Sequence, residues 1–115
     1  PEGYALNVQS GLVRARLRSF RQDGPGYRRI YGLRNEPLVP GRVYEVTVDL
    51  WSASYLFKAG HKMRVDVASA AFPQFDANPN TGEPFAQRTS YPVVARNTVH
   101  VGGATPSHIV LPLRR

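Results

Sequence analysis

The sequence predicts an all-β fold, and three observations carry that prediction. Several short segments alternate apolar and polar residues, which is typical of half-buried strands. Ten glycines and ten prolines separate these segments, where they favour turns. No helical periodicity lasts for three turns. The 115 residues are the size of one domain, so we expect residues 1–115 to form part of a single β-sandwich of the jelly-roll type.

The first predicted strand spans Leu12–Phe20. Its arginines occupy every second position, and we expect them on the polar face: Arg14, Arg16 and Arg18. Asp23–Gly26 follows with the residues of a tight turn. Pro37 and Pro40 then exclude a helix before the next strand.

The segments that follow also alternate apolar and polar residues. We predict strands at Val43–Leu50 and Met63–Val67, with a turn at Ala59–Gly60 between them. Residues 72–92 have no periodicity and predict a long surface loop, and loops of this length are usually functional or disordered. Two short strands are expected at the end, Asn97–Val101 and His108–Leu113, on either side of a Gly102–Gly103 turn region.

The number of strands is small for the predicted fold. Five or six strands are predicted, whereas a jelly roll has about eight. We therefore expect the chain to be the C-terminal portion of a sandwich, with apolar faces that need a second sheet. Exposed strand edges of this kind recruit other chains, so self-association is one expectation.

The formal charge of +7 raises the question of nucleic-acid binding. The charge comes from 13 arginines and two lysines against eight acidic residues. The aromatic residues do not interleave with the basic ones as in a base-stacking surface, and no nucleic-acid-binding signature is present. We expect solvated arginines, or arginines that face an acidic partner missing from this chain, and no nucleic-acid partner. No apolar run is long enough to span a membrane.

Catalytic and metal-binding patterns are weak. The sequence lacks the G-x-S-x-G that an α/β serine hydrolase uses to present its nucleophile. His61, His100 and His108 are expected to be structural or solvent-facing. Paired carboxylates for glycoside hydrolysis have no signal here. We expect no cofactor and no metal.

Asp76, Asn78 and Asn80 resemble the start of a calcium loop, which places oxygen ligands at alternate positions. The sixth position is Thr81 rather than glycine, and the twelfth is Gln87 rather than glutamate. An Asx-rich turn, held by side-chain to backbone hydrogen bonds, is the better prediction.

A family resemblance covers essentially the whole chain. The run LRNEPLVPGRVYEVTVDLWSASYLFKAGHKMRVDVASAAFPQFDANPNTG, at 33–82, is similar to the C-terminal β-domain of the X-Pro dipeptidyl-peptidase and cocaine esterase hydrolases. The ending RNTVHVGGATPSHIVLPL and the start PEGYALNVQSGLVRARLRSF resemble parts of the same domain. The motifs are specific together, although each is weak alone.

The resemblance implies a galactose-binding-like jelly roll beside an α/β-hydrolase domain and a helical cap. In that family the Ser-Asp-His triad lies in the hydrolase domain, and no residue of this chain matches a triad position. The jelly roll supports the other two domains and helps to wall the substrate cleft. The parent enzyme would hydrolyse esters, amides or X-Pro peptides through an acyl-enzyme.

Candidate interface or cleft-wall residues are large apolar or polar groups in or beside loops: Trp51, Phe72, Phe75, Asp76, Asn78 and Asn80. Core packing is the alternative for Trp51 and Phe57, and both interpretations stay open for Phe72–Phe75. An independent carbohydrate-binding jelly roll is the rival function. The sequence does not distinguish a cytoplasmic from a secreted location, because it has no cysteine and no targeting segment.

Overall fold

The computed structural model of the chain describes residues 3–22, 29–84, 87 and 91–113. The chain divides into two compact units, Pro1–Arg64 and Val65–Arg115. Regular structure in the described part comprises a 3₁₀ helix at Ala15–Leu17 and two strands, β1 at Phe20–Gln22 and β2 at Arg29–Tyr31. The prediction of strands with almost no helix agrees with this structure, and the jelly roll stays a prediction.

Strands β1 and β2 pair in antiparallel register. Phe20 lies opposite Tyr31, and Arg21 lies opposite Ile30. The rings of Phe20 and Tyr31 are 5.5 Å apart between centroids and tilted by 46°. Such a cross-strand aromatic pair stabilises the two-stranded sheet. The turn predicted at Asp23–Gly26 lies outside the described residues.

The predicted strand Leu12–Phe20 is wrong over its middle. A 3₁₀ helix occupies Ala15–Leu17, where the Leu17 amide donates to the Arg14 carbonyl at 2.7 Å. Alternating polarity reports which side chains would share a face, but a strand also needs a hydrogen-bonded neighbour. The i to i+3 bond satisfies this backbone locally, and the arginines at 14, 16 and 18 do not form one strand face.

The other predicted strands are also not formed. Residues 43–50, 63–67, 97–101 and 108–113 carry no strand assignment in the structure. The apolar residues of these segments are exposed or half-buried, and none of the described residues is fully buried. A strand pattern alone cannot form a ladder, because its backbone donors and acceptors need a partner strand. Each of these segments therefore has apolar side chains that are accessible to solvent.

The turns that the sequence predicts are formed in the described residues, unlike most of the predicted strands. His61 donates its amide to the Lys58 carbonyl at 3.1 Å, which closes the turn at Ala59–Gly60. Gly60 has φ +81°, a conformation that glycine adopts without steric cost. In the second unit, the Ser107 amide donates to the His100 carbonyl at 2.6 Å across the Gly102–Gly103 turn region. Of the long loop predicted at residues 72–92, residues 72–84 contain no helix or strand, and residues 85, 86 and 88–90 lie outside the described residues.

Two backbone segments of the first unit come into close contact. A Cβ added to Gly11 would overlap the carbonyl oxygen of Asp49 and lie 3.0 Å from the Val48 Cγ1. The Gln9 side chain donates to the Ser52 carbonyl at 3.4 Å beside this contact. Glycine is therefore required at position 11 for its size.

No helix in the described residues is long and apolar enough to cross a membrane.

Candidate functional site

Trp51 is presented to solvent by a short turn rather than packed in a core. Its side chain is 82% exposed. Its backbone has φ +61°, and its amide donates to the Asp49 Oδ1 at 2.8 Å. An Asx turn of this kind holds the residue in the left-handed region, which is costly for a bulky side chain. The geometry excludes core packing for Trp51 within this chain and leaves its indole free for contact.

Phe57, for which core packing was the other expectation, is also exposed. Its ring packs edge-on against Tyr55, with 5.0 Å between centroids. This is a local aromatic pair on the surface of the first unit.

In the second unit, Phe72 and Phe75 lie on a single turn. The Phe75 amide donates to the Ala71 carbonyl at 3.0 Å. Phe72 is 76% exposed, and Phe75 is also solvent-accessible. Asp76 follows directly and is exposed. The turn thus places two aromatic rings and a carboxylate in sequence on the surface of this unit.

Asn78 and Asn80 form the predicted Asx-rich turn. The Asn80 amide donates to the Asn78 Oδ1 at 3.0 Å, and Asn80 has φ +59°. Asn80 also donates its side-chain amide to the Val93 carbonyl at 2.9 Å, and the Val93 amide returns a bond to the Pro79 carbonyl at 2.8 Å. Both asparagine side chains are therefore used to hold the loop, and the Asx-turn prediction is confirmed.

Among the described residues, no group of three His, Cys, Asp or Glu side chains lies close enough to hold a metal ion. Thr81, at the sixth position of the calcium pattern, instead donates its hydroxyl to Glu83 Oε2 at 3.0 Å.

Arg18 has several side-chain partners in the first unit. Its guanidinium donates through Nη1 to the carbonyls of Ala15 at 3.1 Å and of Glu36 at 2.7 Å. Its Nη2 pairs with the Glu36 carboxylate at 3.4 Å, and the side chain is only 14% exposed. The expectation that Arg18 is solvated is wrong, because the 3₁₀ helix turns it towards Glu36.

Tyr44 completes the surroundings of Arg18. The Arg18 guanidinium lies 4.4 Å from the centre of the Tyr44 ring, and that of Arg42 lies 5.6 Å from it. The Tyr44 hydroxyl accepts a bond from the Val39 amide at 3.1 Å. Each of these two guanidiniums gains a cation–π attraction to the ring. Tyr44 is thus fixed at both its face and its hydroxyl.

Further hydrogen bonds join residues 16–19 to residues 32–36. Arg16 Nε donates to the Asn35 Oδ1 at 2.8 Å, and the Glu36 amide donates to the Arg16 carbonyl at 2.8 Å. The Arg34 amide donates to the Ser19 hydroxyl at 2.8 Å. Arg34 also pairs with Glu36, with 3.7 Å between Nη1 and Oε1. One carboxylate therefore serves two arginines.

Sequence reasoning did not identify Glu36 or Tyr44. A signal for Glu36 was available, because it is the only acidic residue between Asp23 and Glu45 in a segment rich in arginine. Tyr44 was assigned to the apolar face of a strand. Its contact with the Arg18 guanidinium joins two distant segments of the chain, which the local pattern does not encode.

An open hollow of about 200 Å³ lies beside β2. Its lining is mainly apolar, with one aromatic ring, and comprises Leu12, Val13, Arg14, Leu17, Tyr31 and Gly32. The Tyr31 hydroxyl is shielded from solvent and has no hydrogen-bond partner in the described part of the chain. The carbohydrate-binding alternative predicts an aromatic-lined site, and this hollow has a single aromatic ring.

Comparison with known proteins agrees with the resemblance described above. The family described as the X-Pro dipeptidyl-peptidase C-terminal non-catalytic domain matches residues 1–110. Cocaine esterase of Rhodococcus sp. is 36% identical over 115 residues, which cover 98% of this chain and 18% of the esterase. Two proteins from Mycobacterium bovis and Mycobacterium tuberculosis, provisionally named serine esterases, are each 35% identical over 81 residues. No solved structure matches the chain.

The mycobacterial matches cover 65% of this chain and 13% of each relative. The chain thus spans less than a fifth of the length of these three proteins. The matched family is described as non-catalytic, which agrees with the lack of G-x-S-x-G in the sequence. Because the family match extends over residues 1–110 and the identity to cocaine esterase extends over nearly the whole chain, the chain belongs to the family of X-Pro dipeptidyl-peptidase C-terminal non-catalytic domains.

Proposed function

We propose that the chain is the accessory C-terminal part of a serine hydrolase acting on esters, amides or X-Pro peptides. It scaffolds the α/β-hydrolase and cap domains and contributes to the wall of the substrate cleft. The match over residues 1–110 to a non-catalytic hydrolase domain carries the proposal. The esterase names of the relatives support the ester part of the substrate range.

The exposed apolar surface supports the scaffolding role. Trp51 and Phe72 project large rings into solvent, and no described residue is fully buried. Burial of apolar area yields roughly 25 cal/mol per Å², so a surface of this kind gains stability when another domain covers it. We assign that covering role to the hydrolase and cap domains.

Phe75, Asp76, Asn78 and Asn80 are proposed to contribute to the same interface or to the cleft wall. The bonds from Asn80 to Val93 and Asn78 give this loop a fixed backbone. A rigid loop can present Phe72 and Asp76 to a neighbouring domain without a large ordering cost. The asparagines then act through the shape of the loop.

The isolated chain is expected to have no esterase activity, because it contains no nucleophile elbow. The measurement is hydrolysis of p-nitrophenyl acetate, with heat-denatured chain as the control. Saturable turnover that a serine-directed phosphonate abolishes would contradict the proposal. The open reading frame that encodes the chain gives a second check, since the proposal requires a G-x-S-x-G upstream.

In the full parent protein, Trp51→Ala and Phe72→Ala are expected to change hydrolysis although neither residue can perform chemistry. We expect a cleft-wall residue to raise KM by about fivefold or more, and a scaffold residue to lower the melting temperature with KM unchanged. Tyr4→Ala is the matched control, because Tyr4 is a similarly exposed ring, 79% accessible, that is not among the proposed interface residues. Identical kinetics and melting for all three variants would refute the assignment.

Self-association is proposed for the chain when it is separated from its partner domains. The uncovered apolar residues at 63–67 and 43–50 would be buried between copies. Sedimentation equilibrium should show a mass above that of the monomer at micromolar concentrations. A stable monomer at high micromolar concentration, with cooperative thermal unfolding, would show that the chain closes its surface unaided.

A further inference from the structure

The positive charge of the chain is concentrated in its first unit. Residues 1–64 contain nine arginines and two lysines against five acidic residues, so they carry six of the seven net positive charges. Three of these arginines, Arg16, Arg34 and Arg42, lie in the network around Glu36 and Tyr44, and we call them the arginine surface.

The acidic groups within this network are too few to neutralise the arginine surface. Glu36 is shared between Arg18 and Arg34, at 3.4 and 3.7 Å. Arg18 is satisfied by two backbone carbonyls as well as this carboxylate, and it is mostly buried. The Glu36 carboxylate therefore leaves little capacity for any further cation.

Each member of the arginine surface keeps donors available. Arg16 uses only Nε, towards Asn35, so both of its terminal nitrogens lack a partner among the described residues. The Arg34 side chain is 76% exposed and holds Glu36 through one nitrogen. Arg42 is exposed and contacts the Tyr44 ring, with no carboxylate partner in the described part of the chain.

These donors fit carboxylates better than nucleic-acid bases. A guanidinium pairs with a carboxylate through two parallel hydrogen bonds. A binder of single-stranded nucleic acid also needs free aromatic rings for stacking. Tyr44, the ring at this network, already has two guanidiniums within 5.6 Å of its centre. Its hydroxyl is bonded to the backbone. The arginine surface thus offers charge and planar donors without a free stacking platform.

We propose that Arg16, Arg34 and Arg42 form a docking surface for an acidic protein segment in the remaining part of the parent hydrolase. The inference rests on the proposed function, in which this chain is one part of a longer hydrolase. The matched cocaine esterase is more than five times as long as this chain, so a parent of similar length would contain other segments that can dock here. Carboxylates of that segment pair with the free guanidinium nitrogens and complete the network begun by Glu36. The arginine surface supplies the orientation of docking.

The first test uses the chain with a fluorescein-labelled oligoglutamate peptide and measures binding by anisotropy. The double variant R16Q/R34Q is expected to weaken binding by about fivefold. The control K58Q/K62Q removes the same charge from exposed lysines of the same unit and should change binding by less than about twofold. An equal loss in both variants would overturn the proposal, because it would show attraction by net charge alone. A DNA duplex that binds more tightly than the peptide would also overturn it.

The second test uses the full parent protein and follows limited proteolysis between this domain and the rest of the chain. R16Q/R34Q should accelerate cleavage severalfold, and K58Q/K62Q should not. Unchanged cleavage in R16Q/R34Q would overturn the docking surface even if the parent is an active serine hydrolase. A parent without G-x-S-x-G would refute the proposed function while leaving the peptide result to decide on the arginine surface.

Discussion

Replacing Gly11 with alanine is expected to destabilise the first unit by about 1–3 kcal/mol. The new Cβ would overlap the Asp49 carbonyl oxygen and crowd the Val48 side chain. Because the obstructing atom belongs to the backbone, the two segments must separate to relieve the overlap. That movement also strains the bond from Gln9 to the Ser52 carbonyl.

Urea unfolding of the variant measures this loss as a lower midpoint. Gly102→Ala is the matched control, because a Cβ there meets no atom within 4 Å and the backbone of Gly102 is outside the left-handed region. Its unfolding free energy should change by no more than about 0.5 kcal/mol, or rise slightly through the unfolded state. Equal midpoints for the two variants would mean that residues 11 and 49 are not in contact in solution.

Replacing Arg18 with alanine is expected to lower the unfolding free energy by about 2–3 kcal/mol. The change removes two hydrogen bonds to backbone carbonyls, an ion pair with Glu36 and a cation–π contact with Tyr44. Glu36→Gln should cost about 0.5–1 kcal/mol, because the Glu36 side chain is half exposed and its backbone carbonyl still accepts from Arg18.

The control for this series is Arg14→Ala, which removes an exposed guanidinium with no partner among the described residues. It should change stability by less than about 0.5 kcal/mol. Hydrogen exchange of the Glu36 amide, which donates to the Arg16 carbonyl, reports the same network locally. We expect faster exchange in Arg18→Ala than in Glu36→Gln. The same rate in all three variants would contradict a central role for Arg18.

Local chemistry determined which features could be predicted from the sequence. The turn at Gly60 and the Asx turn at Asn78–Asn80 depend on residues that are neighbours in the chain, and both were predicted correctly. The family resemblance added the assignment to a hydrolase domain, which no residue pattern alone provided.

Contacts between distant segments could not be predicted in this way. Arg18 and Glu36 are 18 positions apart, and alternation at residues 12–20 placed Arg18 on a solvated face. The same alternation predicted strands at residues 43–50 and 63–67. Polarity fixes the face that a strand would bury, but the backbone hydrogen bonds come from another segment. Where the structure provides no such partner, the predicted strand is not formed.

The exposure of Trp51 has a practical consequence. It is the only tryptophan in the chain, so selective excitation of indole reports on this one position. An indole in water emits at long wavelength, and its emission moves to the blue when an apolar surface covers it. The left-handed turn at Asp49–Trp51 holds the ring 82% exposed. A domain that docks there and covers the ring therefore shifts the emission maximum of the intrinsic fluorescence to shorter wavelength. The chain therefore carries an optical probe for its assembly, with no label required.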